Sequence, residues 1–314
     1  MKQPNYFLVM NPSSRSFRSR YIWPEIFQRF RKEKISFDFA VTQGAGDASM
    51  LACKAAESGF DAVVAVGGDG TINEVINGLF EASAASSAAA FGVIYAGTSP
   101  DFCGFHKIPV ETGKALDTLL AGRRKLVDIC RITHSLEKGG APVSRVFSCS
   151  ANFGLGAAVA RGANSGLRKK WGDLFGTLFS LLTAIWNYKA CTFKVKVSNP
   201  SATEGEEFCY NNVFNIFTGK NPLVASGIKL KMDISFDDGK MYLVPLHGIS
   251  KKKLLRILPD VYSGTITEIF RPVFASEFEI SCDGEASEVE YDGDPQGYLP
   301  AVIKILPKAL NLIV

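Results

Sequence analysis

Apolar runs and amphipathic patterns alternate along the first part of the chain, up to about residue 125. Short apolar runs predict four strands: 6–12, 35–42, 61–68 and 91–97. Apolar residues at helical spacing predict the helices that follow them: 23–34, 46–59, 72–80 and 110–122. Strands that alternate with helices in this way predict a parallel sheet covered on both faces.

The pattern changes after about residue 128, where strand-like runs dominate. These runs are 126–133, 144–154, 192–199, 209–219, 240–246, 276–282 and 301–307. Only two helical segments interrupt them, at 167–188 and at 250–263. Many strands with few helices predict a mostly antiparallel domain. The prediction is therefore an α/β domain over residues 1–128 and a β domain over residues 129–314, with a polar joint at 122–125.

Composition limits the partners and the compartment. The 314 residues carry a formal net charge of +4, which suits phosphate-bearing ligands or an anionic membrane and is too small to indicate nucleic acid. The three histidines have no metal-ligand spacing, which argues against zinc. Seven scattered cysteines without a Cys-x-x-Cys pair predict reduced thiols in a cytoplasmic protein. The most apolar stretch, 174–186, is shorter than the roughly 20 residues of a membrane span.

The strongest local signal for a binding site is the stretch AVVAVGGDGTINEVINGL, residues 62–79. A strand leads into three glycines and a helix, an arrangement in which free backbone N–H groups can approach a phosphate. Thr71 is the expected N-cap of this helix. Glycines that serve only a tight turn are the alternative, but Asp69 and the polar helix residues Asn73, Glu74 and Asn77 favour a binding site.

This stretch resembles the catalytic-domain signature of the diacylglycerol kinase family, which includes soluble bacterial lipid kinases and relatives that phosphorylate sphingosine and ceramide. Gly67 to Thr71 alone would also fit NAD kinases, so the continuation Glu74 to Leu79 carries the distinction. Further matches follow in the family's order over essentially the whole chain: Asn11-Pro12, Thr42 with 46–48, 97–109, 150–160 and 228–244.

The resemblance implies a Rossmann-like α/β domain, similar to those of NAD kinase and phosphofructokinase, followed by a β-sandwich domain. It also implies an ATP- and Mg²⁺-dependent kinase that transfers the γ-phosphate to a hydroxyl of diacylglycerol or a related lipid. The nucleotide-binding positions it implies are Asn11, Thr42, Gly67, Gly68, Asp69, Gly70, Thr71, Glu74, Thr98 and Asp101. Such an enzyme would bind its lipid at the inner membrane face. Whether it forms a homodimer is left open by the sequence.

Three departures from the family's pattern concern ligand contacts. Arg15 stands where the family has glycine, and Pro100 stands where it has asparagine, which removes a donor beside the nucleotide. Residues 225–227 replace a triple glycine in the domain expected to face the lipid. The first two bear on nucleotide contacts and the third on the identity of the lipid.

Several aspartates are candidates for metal binding. Asp69 would face the triphosphate, so Mg²⁺ between them is its natural partner. Asp101 follows a Gly-Thr turn and could hold the nucleotide or the water around the metal, or merely cap the next segment. Asp237-Asp238-Gly239 reads as a hairpin turn on physical grounds. The resemblance adds a structural magnesium site there, with Asp238 as ligand and Asp237 beside it.

Two Asp-Gly-acid turns compete for the role of general base, at Asp283 and at Asp292. In the family this base lies in such a turn, a few residues before Leu-Pro and the last strand. Asp292, with Leu299-Pro300 behind it, fits that order, whereas Asp283 reads as a solvated turn acid. The resemblance therefore implies Asp292 as the catalytic base.

Two rival functions stay open. One is an NAD-kinase-like enzyme on a soluble substrate, and the other is a non-catalytic member that binds nucleotide or lipid, which Arg15 and Pro100 suggest. Segments 167–188 and 250–258 have basic ends and apolar bodies that could touch a membrane, although ordinary core helices are the favoured interpretation. No motif identifies the acceptor lipid.

Overall fold

The computed structural model describes residues 4–82, 89–162, 181–199, 205–224, 228–283 and 287–314. The strands of its first part are β1 Tyr6–Met10, β2 Phe37–Val41, β3 Ala62–Gly67 and β4 Ala90–Tyr95. Its helices are α1 Trp23–Lys32, α2 Asp47–Glu57, α3 Asp69–Glu81, α4 Asp101–His106 and α5 Thr112–Ala121, with a 3-10 turn at Arg18–Ile22.

The four strands form a parallel sheet in the order β2-β1-β3-β4, as the alternating pattern predicted. All four predicted helices are present, because each has an apolar face that packs on this sheet. Helix α3 begins at Asp69, three residues before its predicted start, because Asp69 and Gly70 already belong to the first turn. Helix α4 was not predicted, since its six residues are too few to show a helical period.

The second part is dominated by strands. They are β5 Arg124–Ser135, β6 Pro142–Phe147, β7 Ser150–Gly154, β8 Cys191–Ser198, β9 Glu206–Gly219, β10 Leu223–Val224, β11 Ile228–Lys229, β12 Met241–His247, β13 Val273–Ala275, β14 Glu277–Cys282, β15 Glu288–Tyr291 and β16 Asp294–Ile313. Helix α6 is Leu155–Gly162, residues 181–187 are helical, and three short helices follow at Lys251–Arg256, Leu258–Ser263 and Ile266–Ile269. Most of the predicted segment 167–188 lies outside the described residues.

Three predictions for this part were wrong in detail. The run 144–154 is two strands, because the chain breaks at Ser148-Cys149. The helix predicted over 250–263 is two helices that meet at Ile257. The turn at 237–239 is not a hairpin, since β12 pairs with β9 and β13 rather than with a strand just before the turn. Tertiary pairing decided each of these points.

The two parts share one sheet. The long last strand β16 runs antiparallel to β5, and near its end Leu312 pairs in parallel with Phe91 of β4. The chain thus returns from the antiparallel part to the edge of the parallel sheet. Residue 128, where the domain division was placed, lies within β5. The division at this residue stays a prediction.

Separate apolar clusters lie on the two faces of the parallel sheet. Val63, Ile72 and Val75 are buried where α2 and α3 cover one face. Ile26 and Leu116 are buried where α1 and α5 cover the other. A third cluster fills the antiparallel part: its members include Phe153, Phe193, Phe278, Val289 and Ile303. These cores hold the ends of β3, β4, β7 and β15 in place around the candidate site.

Gly78, the glycine of the Asn-Gly-Leu part of the motif, is required by packing between α2 and α3. A Cβ at this position would overlap the carbonyl oxygen of Ser49 and lie 2.9 Å from Cβ of Ala52. We expect Gly78→Ala to lower the free energy of unfolding by about 1–3 kcal/mol, because backbone of α2 cannot move aside. Chemical denaturation measures this change.

Gly70→Ala is the matched control, since a Cβ at Gly70 meets no atom within 4 Å. It should leave the free energy of unfolding unchanged or raise it by up to about 1 kcal/mol, through the higher helix propensity of alanine. Equal destabilisation by both substitutions would contradict this explanation of Gly78.

Candidate active site

A cavity of about 460 Å³ lies where the two parts of the chain meet. One end is polar and is lined by Asp69, Thr98, Ser99, Asp101, Asn152, Asn215, Glu290 and Asp292. The rest is apolar and is lined by Leu155, Val159, Leu181, Leu246, Leu254, Leu258 and Val261, among others. The cavity therefore has carboxylates at one end and an apolar channel at the other.

The glycines of the 67–71 loop have different roles. A Cβ on Gly67 would lie 2.6 Å from Cβ of Thr71, and a Cβ on Gly97 would lie 2.6 Å from Cα of Gly68. Gly97 lets the loop after β4 cross the loop after β3 in direct backbone contact at Gly68, whereas Gly67 makes room for the side chain of Thr71. Only Gly70 has open space on its Cβ side. Gly70 is thus the position where a ligand could approach the backbone.

The N-cap of α3 is Gly68, not Thr71 as expected. Thr71 is buried in the first turn, and its Oγ1 accepts a hydrogen bond from Nδ2 of Asn11 at 2.8 Å. Asn11 follows β1, and its N–H donates to the carbonyl of Val66 at the end of β3. Thr42 follows β2 and donates its N–H to Met10. The predicted phosphate-side residues therefore meet at the carboxyl ends of β1, β2 and β3.

Glu74 supports this region from α3. Its Oε1 accepts from the N–H of Gly46 at 3.0 Å, and its Oε2 accepts from the N–H of Ala48 at 3.1 Å. These bonds satisfy free N–H groups at the start of α2, which otherwise would lack partners. Glu74 thus orders the turn that the resemblance assigned to the phosphate side.

Asp69 joins the loop to the cavity. It accepts hydrogen bonds from the hydroxyl of Tyr95 at 3.3 Å and from the N–H of Phe102 at 3.4 Å. Burial raises the pKa of Asp69 to about 7, and the nearby charges of Asp101 and Asp292 add to the rise. Burial and the two neighbouring carboxylates thus disfavour the ionised form of Asp69.

Asp292 occupies a two-residue turn between β15 and β16. Both Asp292 and Gly293 have positive φ, 51° and 95°, as a type I′ turn requires, and Asp-Gly favours this turn. The side chain is held by N–H groups: Ser148 donates to Oδ2 at 2.8 Å and Cys149 to Oδ1 at 2.8 Å. These two N–H groups come from the break between β6 and β7, where the strand ladder leaves them free.

Further donors fix the same carboxylate. The hydroxyl of Ser148 donates to Oδ2 at 3.1 Å, and Asn73, with its amide nitrogen turned toward its acceptors, donates to Oδ2 at 2.9 Å. Burial raises the pKa of Asp292 to about 6, although the hydrogen bonds from Ser148 and Cys149 oppose the rise. A positioned carboxylate with a pKa near neutrality suits a general base.

Asp283, the competing aspartate, lies elsewhere. It follows β14, its side chain is 58% exposed, and it pairs with Lys194 at 3.1 Å. Asp283 is not among the residues that line the cavity. The structure thus brings Asp69, Asp101 and Asp292 together and leaves Asp283 on the surface.

Asp237 and Asp238 also lie outside the cavity walls. The ammonium of Lys220 binds the carboxylate of Asp238, together with that of Asp128 at 3.0 Å. This ammonium takes the oxygens that the resemblance assigned to a magnesium ion, so the residues present do not fit a metal at this turn. Within the described ranges, no three or more His, Cys, Asp or Glu side chains form a metal-binding group.

The sequence did not single out several residues of the site. Ser148 and Cys149 act through backbone N–H groups, which leave no trace in residue type. Asn152 donates to Glu290 at 2.6 Å, and Asn215 donates to Asn152 at 3.0 Å. Polar residues inside apolar strand runs, such as Asn215 in VFNIF and Asp128 in LVDIC, are the signal that could have found them.

Two known families match this chain. Residues 5–132 match the diacylglycerol kinase catalytic domain, and residues 149–314 match the YegS C-terminal NAD kinase beta sandwich-like domain. The second match alone covers more than half of the chain. The chain therefore belongs to the diacylglycerol kinase family of lipid kinases, which are phosphotransferases with an alcohol group as acceptor.

Curated relatives agree over nearly their full length. The chain is 25% identical over 294 residues to a diacylglycerol kinase of Staphylococcus saprophyticus, covering 93% of this chain and 90% of that one. It is 27% identical over 279 residues to a probable lipid kinase, YegS-like, of Chromohalobacter salexigens, covering 87% and 82%.

Solved structures share the fold. A diacylglycerol kinase of Bacillus anthracis, 22% identical, superposes with a TM-score of 0.72 over 100% of this chain and 97% of that one. A yeast NADH kinase complexed with NADH, 11% identical, gives a TM-score of 0.55 over 99% and 83%. The fold is therefore of the diacylglycerol kinase and NAD kinase type, with a β-rich second part. Among the described helices, none is long and apolar enough to cross a membrane.

The raised pKa of Asp69 predicts how the stability of the protein depends on pH. A carboxyl whose pKa is raised to about 7 binds a proton more tightly in the folded than in the unfolded protein. Its contribution to stability is therefore lost as the pH rises from about 4 through 7. Without nucleotide or metal, Asp69→Asn should raise the unfolding temperature more at pH 8 than at pH 5.

Asp283→Asn is the control for this measurement, because Asp283 is exposed and does not line the cavity. Its unfolding temperature should follow the wild type across the same pH range. An Asp69→Asn protein with the wild-type pH dependence would contradict a buried, proton-binding Asp69.

Proposed function

We propose that this protein transfers the γ-phosphate of ATP to a hydroxyl of diacylglycerol or a related lipid, with Mg²⁺ accompanying the nucleotide. The observation that carries the proposal is the position of Asp292. Its carboxylate lies at the polar end of an otherwise apolar cavity and is electrostatically coupled to Asp69 of the glycine loop. A lipid hydroxyl would meet the nucleotide at this point.

The nucleotide would bind to the residues gathered at the carboxyl ends of the parallel strands, where open α/β sheets bind ligands. The proposed contacts are Asn11, Thr42, Gly67, Gly68, Gly70, Thr71, Glu74, Thr98 and Asp101. Some of them act indirectly, since Glu74 and Thr71 are already bonded to the loops beside them. We assign this role to a Rossmann-like domain over residues 1–128 and the acceptor to a sandwich domain over residues 129–314.

Magnesium bound to ATP would neutralise charge on the transferring phosphate. Asp69 is the residue that fits this ion, because it is a buried carboxylate at the cavity wall with other carboxylates beside it. Mg²⁺ in kinases is commonly held by one or two carboxylates and the phosphates, so it needs no larger cluster of protein ligands. Asp101 lies beside Asp69 and could hold water around the ion.

Asp292 would act as the general base. Its Oδ2 accepts from Ser148 and Asn73, its Oδ1 accepts from Cys149, and the backbone of Ser150 also bonds to the carboxylate. We assign to this positioned carboxylate the orientation of the acceptor hydroxyl and the uptake of its proton as the phosphate is transferred. A pKa of about 6 keeps this carboxylate mainly ionised at neutral pH.

The wall of the cavity favours a lipid over a soluble nucleotide. Leu155, Val159, Leu246, Leu254 and Leu258 surround the space beyond the carboxylates. A nucleotide acceptor, as in the NAD-kinase-like alternative, would place polar groups against these side chains without partners.

A non-catalytic binding protein is the second alternative, which the departures at Arg15 and Pro100 motivate.

Asp292→Asn should abolish proton acceptance while keeping the shape of the turn. We expect phosphate transfer from labelled ATP to extracted lipids to fall by about 10²–10⁴-fold, the usual contribution of a general base. ATP binding, measured separately, should stay close to wild type. Asp283→Asn should retain nearly full transfer.

The other outcomes distinguish the alternatives. Lipid phosphorylation that survives Asp292→Asn would refute the base assignment. Transfer to NAD instead of lipid would favour the NAD-kinase-like enzyme, and ATP binding without transfer to any acceptor would favour the binding protein.

Val159→Trp should block the apolar channel, because Val159 lines the cavity one turn of α6 beyond Leu155. We expect KM for long-chain diacylglycerol to rise by at least about tenfold, roughly the effect of losing 1.4 kcal/mol of binding. A short-chain analogue should be affected less. Leu136→Trp, at a residue that is 57% exposed, is the control and should leave both substrates unchanged. Equal effects on both chain lengths would contradict a lipid channel.

A further inference from the structure

Lys220 and Asp128 form a buried ion pair outside the cavity, and the more exposed Asp238 binds the same ammonium. The side chain of Lys220 is only 4% exposed, and that of Asp128 is fully buried. The three N–H donors of the ammonium have three oxygen acceptors: Asp128 at 3.0 Å, the carbonyl of Lys240 at 2.7 Å, and Asp238. We call this group the Lys220 cluster: Asp128, Lys220, Asp238 and the carbonyl of Lys240.

Backbone donors complete the cluster. Asp128 accepts from the N–H of Gly239 at 2.7 Å and of Lys308 at 2.9 Å. Asp238 accepts from the N–H of Ser235 at 3.0 Å and of Lys240 at 3.1 Å. Every carboxylate oxygen of the two aspartates therefore has at least one donor. These oxygens form a binding site for one cation, and the ammonium of Lys220 occupies it.

The acceptors are those that a divalent ion would use. Carboxylate and carbonyl oxygens are the ligands that Mg²⁺ and Ca²⁺ prefer, and both ions need at least six ligands at 2.0–2.6 Å or so. An ammonium and a metal ion cannot share the same three oxygens, because their like charges would lie within a few ångströms. The occupied cluster thus conflicts with the magnesium site that the Asp-Asp-Gly turn implied.

We propose that the ammonium of Lys220 is a built-in replacement for a structural divalent cation in this protein. The turn at 237–239 is then held to β5 and β16 without metal, whether or not the protein is active as a kinase.

The Lys220 cluster also connects to the candidate active site through the next residue. Asn221 donates from Nδ2 to the carbonyl of Asp101 at 2.9 Å, and its N–H donates to the carbonyl of Cys149 at 3.3 Å. Cys149 in turn holds Asp292. An internal cation at Lys220 therefore keeps the two halves of the site in register whether or not free metal is present.

The test is thermal unfolding of the nucleotide-free protein in EDTA and in millimolar MgCl₂. Wild type should unfold at the same temperature in both, apart from any response to Mg²⁺ that Asp69→Asn removes. Lys220→Met should lower the unfolding temperature in EDTA by on the order of 10 °C, since it leaves the buried carboxylate of Asp128 without its cation. Mg²⁺ should restore a large part of this loss, because it can enter the vacated position.

Two further variants make the result specific. Lys231→Met removes another lysine from an ion pair, with Glu268 at 3.1 Å, but this pair is exposed. It should change the unfolding temperature little and show no response to Mg²⁺. The double variant Lys220→Met/Asp238→Asn should be more stable in EDTA than Lys220→Met and should lose the Mg²⁺ response, which keeps the test valid if the single variant fails to fold.

Two results would overturn the proposal. One is a wild-type protein that Mg²⁺ stabilises through a response that survives Asp69→Asn and is lost in Asp238→Asn. The other is a folded Lys220→Met protein whose unfolding temperature does not respond to Mg²⁺.

Discussion

The hydrogen bonds from the backbone of Ser148 and Cys149 to Asp292 join the two ends of the second part of the chain. They exist because β6 and β7 do not continue into each other, so two N–H groups leave the strand ladder and find a carboxylate 143–144 residues away. The Asp-Gly turn supplies that carboxylate at a defined angle. The position of the proposed base relative to Asp69 depends on this one interaction.

Two groups of buried acids in this protein differ in whether an internal cation accompanies them. At the Lys220 cluster, burial raises the pKa of Asp238, but hydrogen bonds from Lys220 and from backbone N–H groups outweigh it and lower the pKa overall. At the cavity, burial raises the pKa of Asp69 and of Asp292, and the charges of Asp101 and Asp292 add to the rise at Asp69. The first group holds structure around an internal cation, whereas the second has the raised pKa values that are common at functional sites.

The glycines of the glycine-rich signature also fall into two groups. At Gly67 and Gly78 neighbouring atoms leave no room for a Cβ, at Gly68 the space is tight, and Gly70 is open. The glycines of this motif therefore also bring loops and helices into contact. This close packing is what places Asp69 at the edge of the cavity.

The sequence by itself determined the parallel strand-helix succession and the strand-rich second part, because hydrophobic periodicity is a local property. The family resemblance added the preference for Asp292 over Asp283. The sequence did not determine the break at 148–149, the length of β16 or the partner of Asp238. Lys220 is 92 residues from Asp128 and 18 from Asp238, and nothing near it in the chain shows that its ammonium is buried. Only the tertiary structure decided these points, since strand pairing brings together residues that are distant in sequence. Burial in the folded protein also determines how much free energy a charged side chain costs.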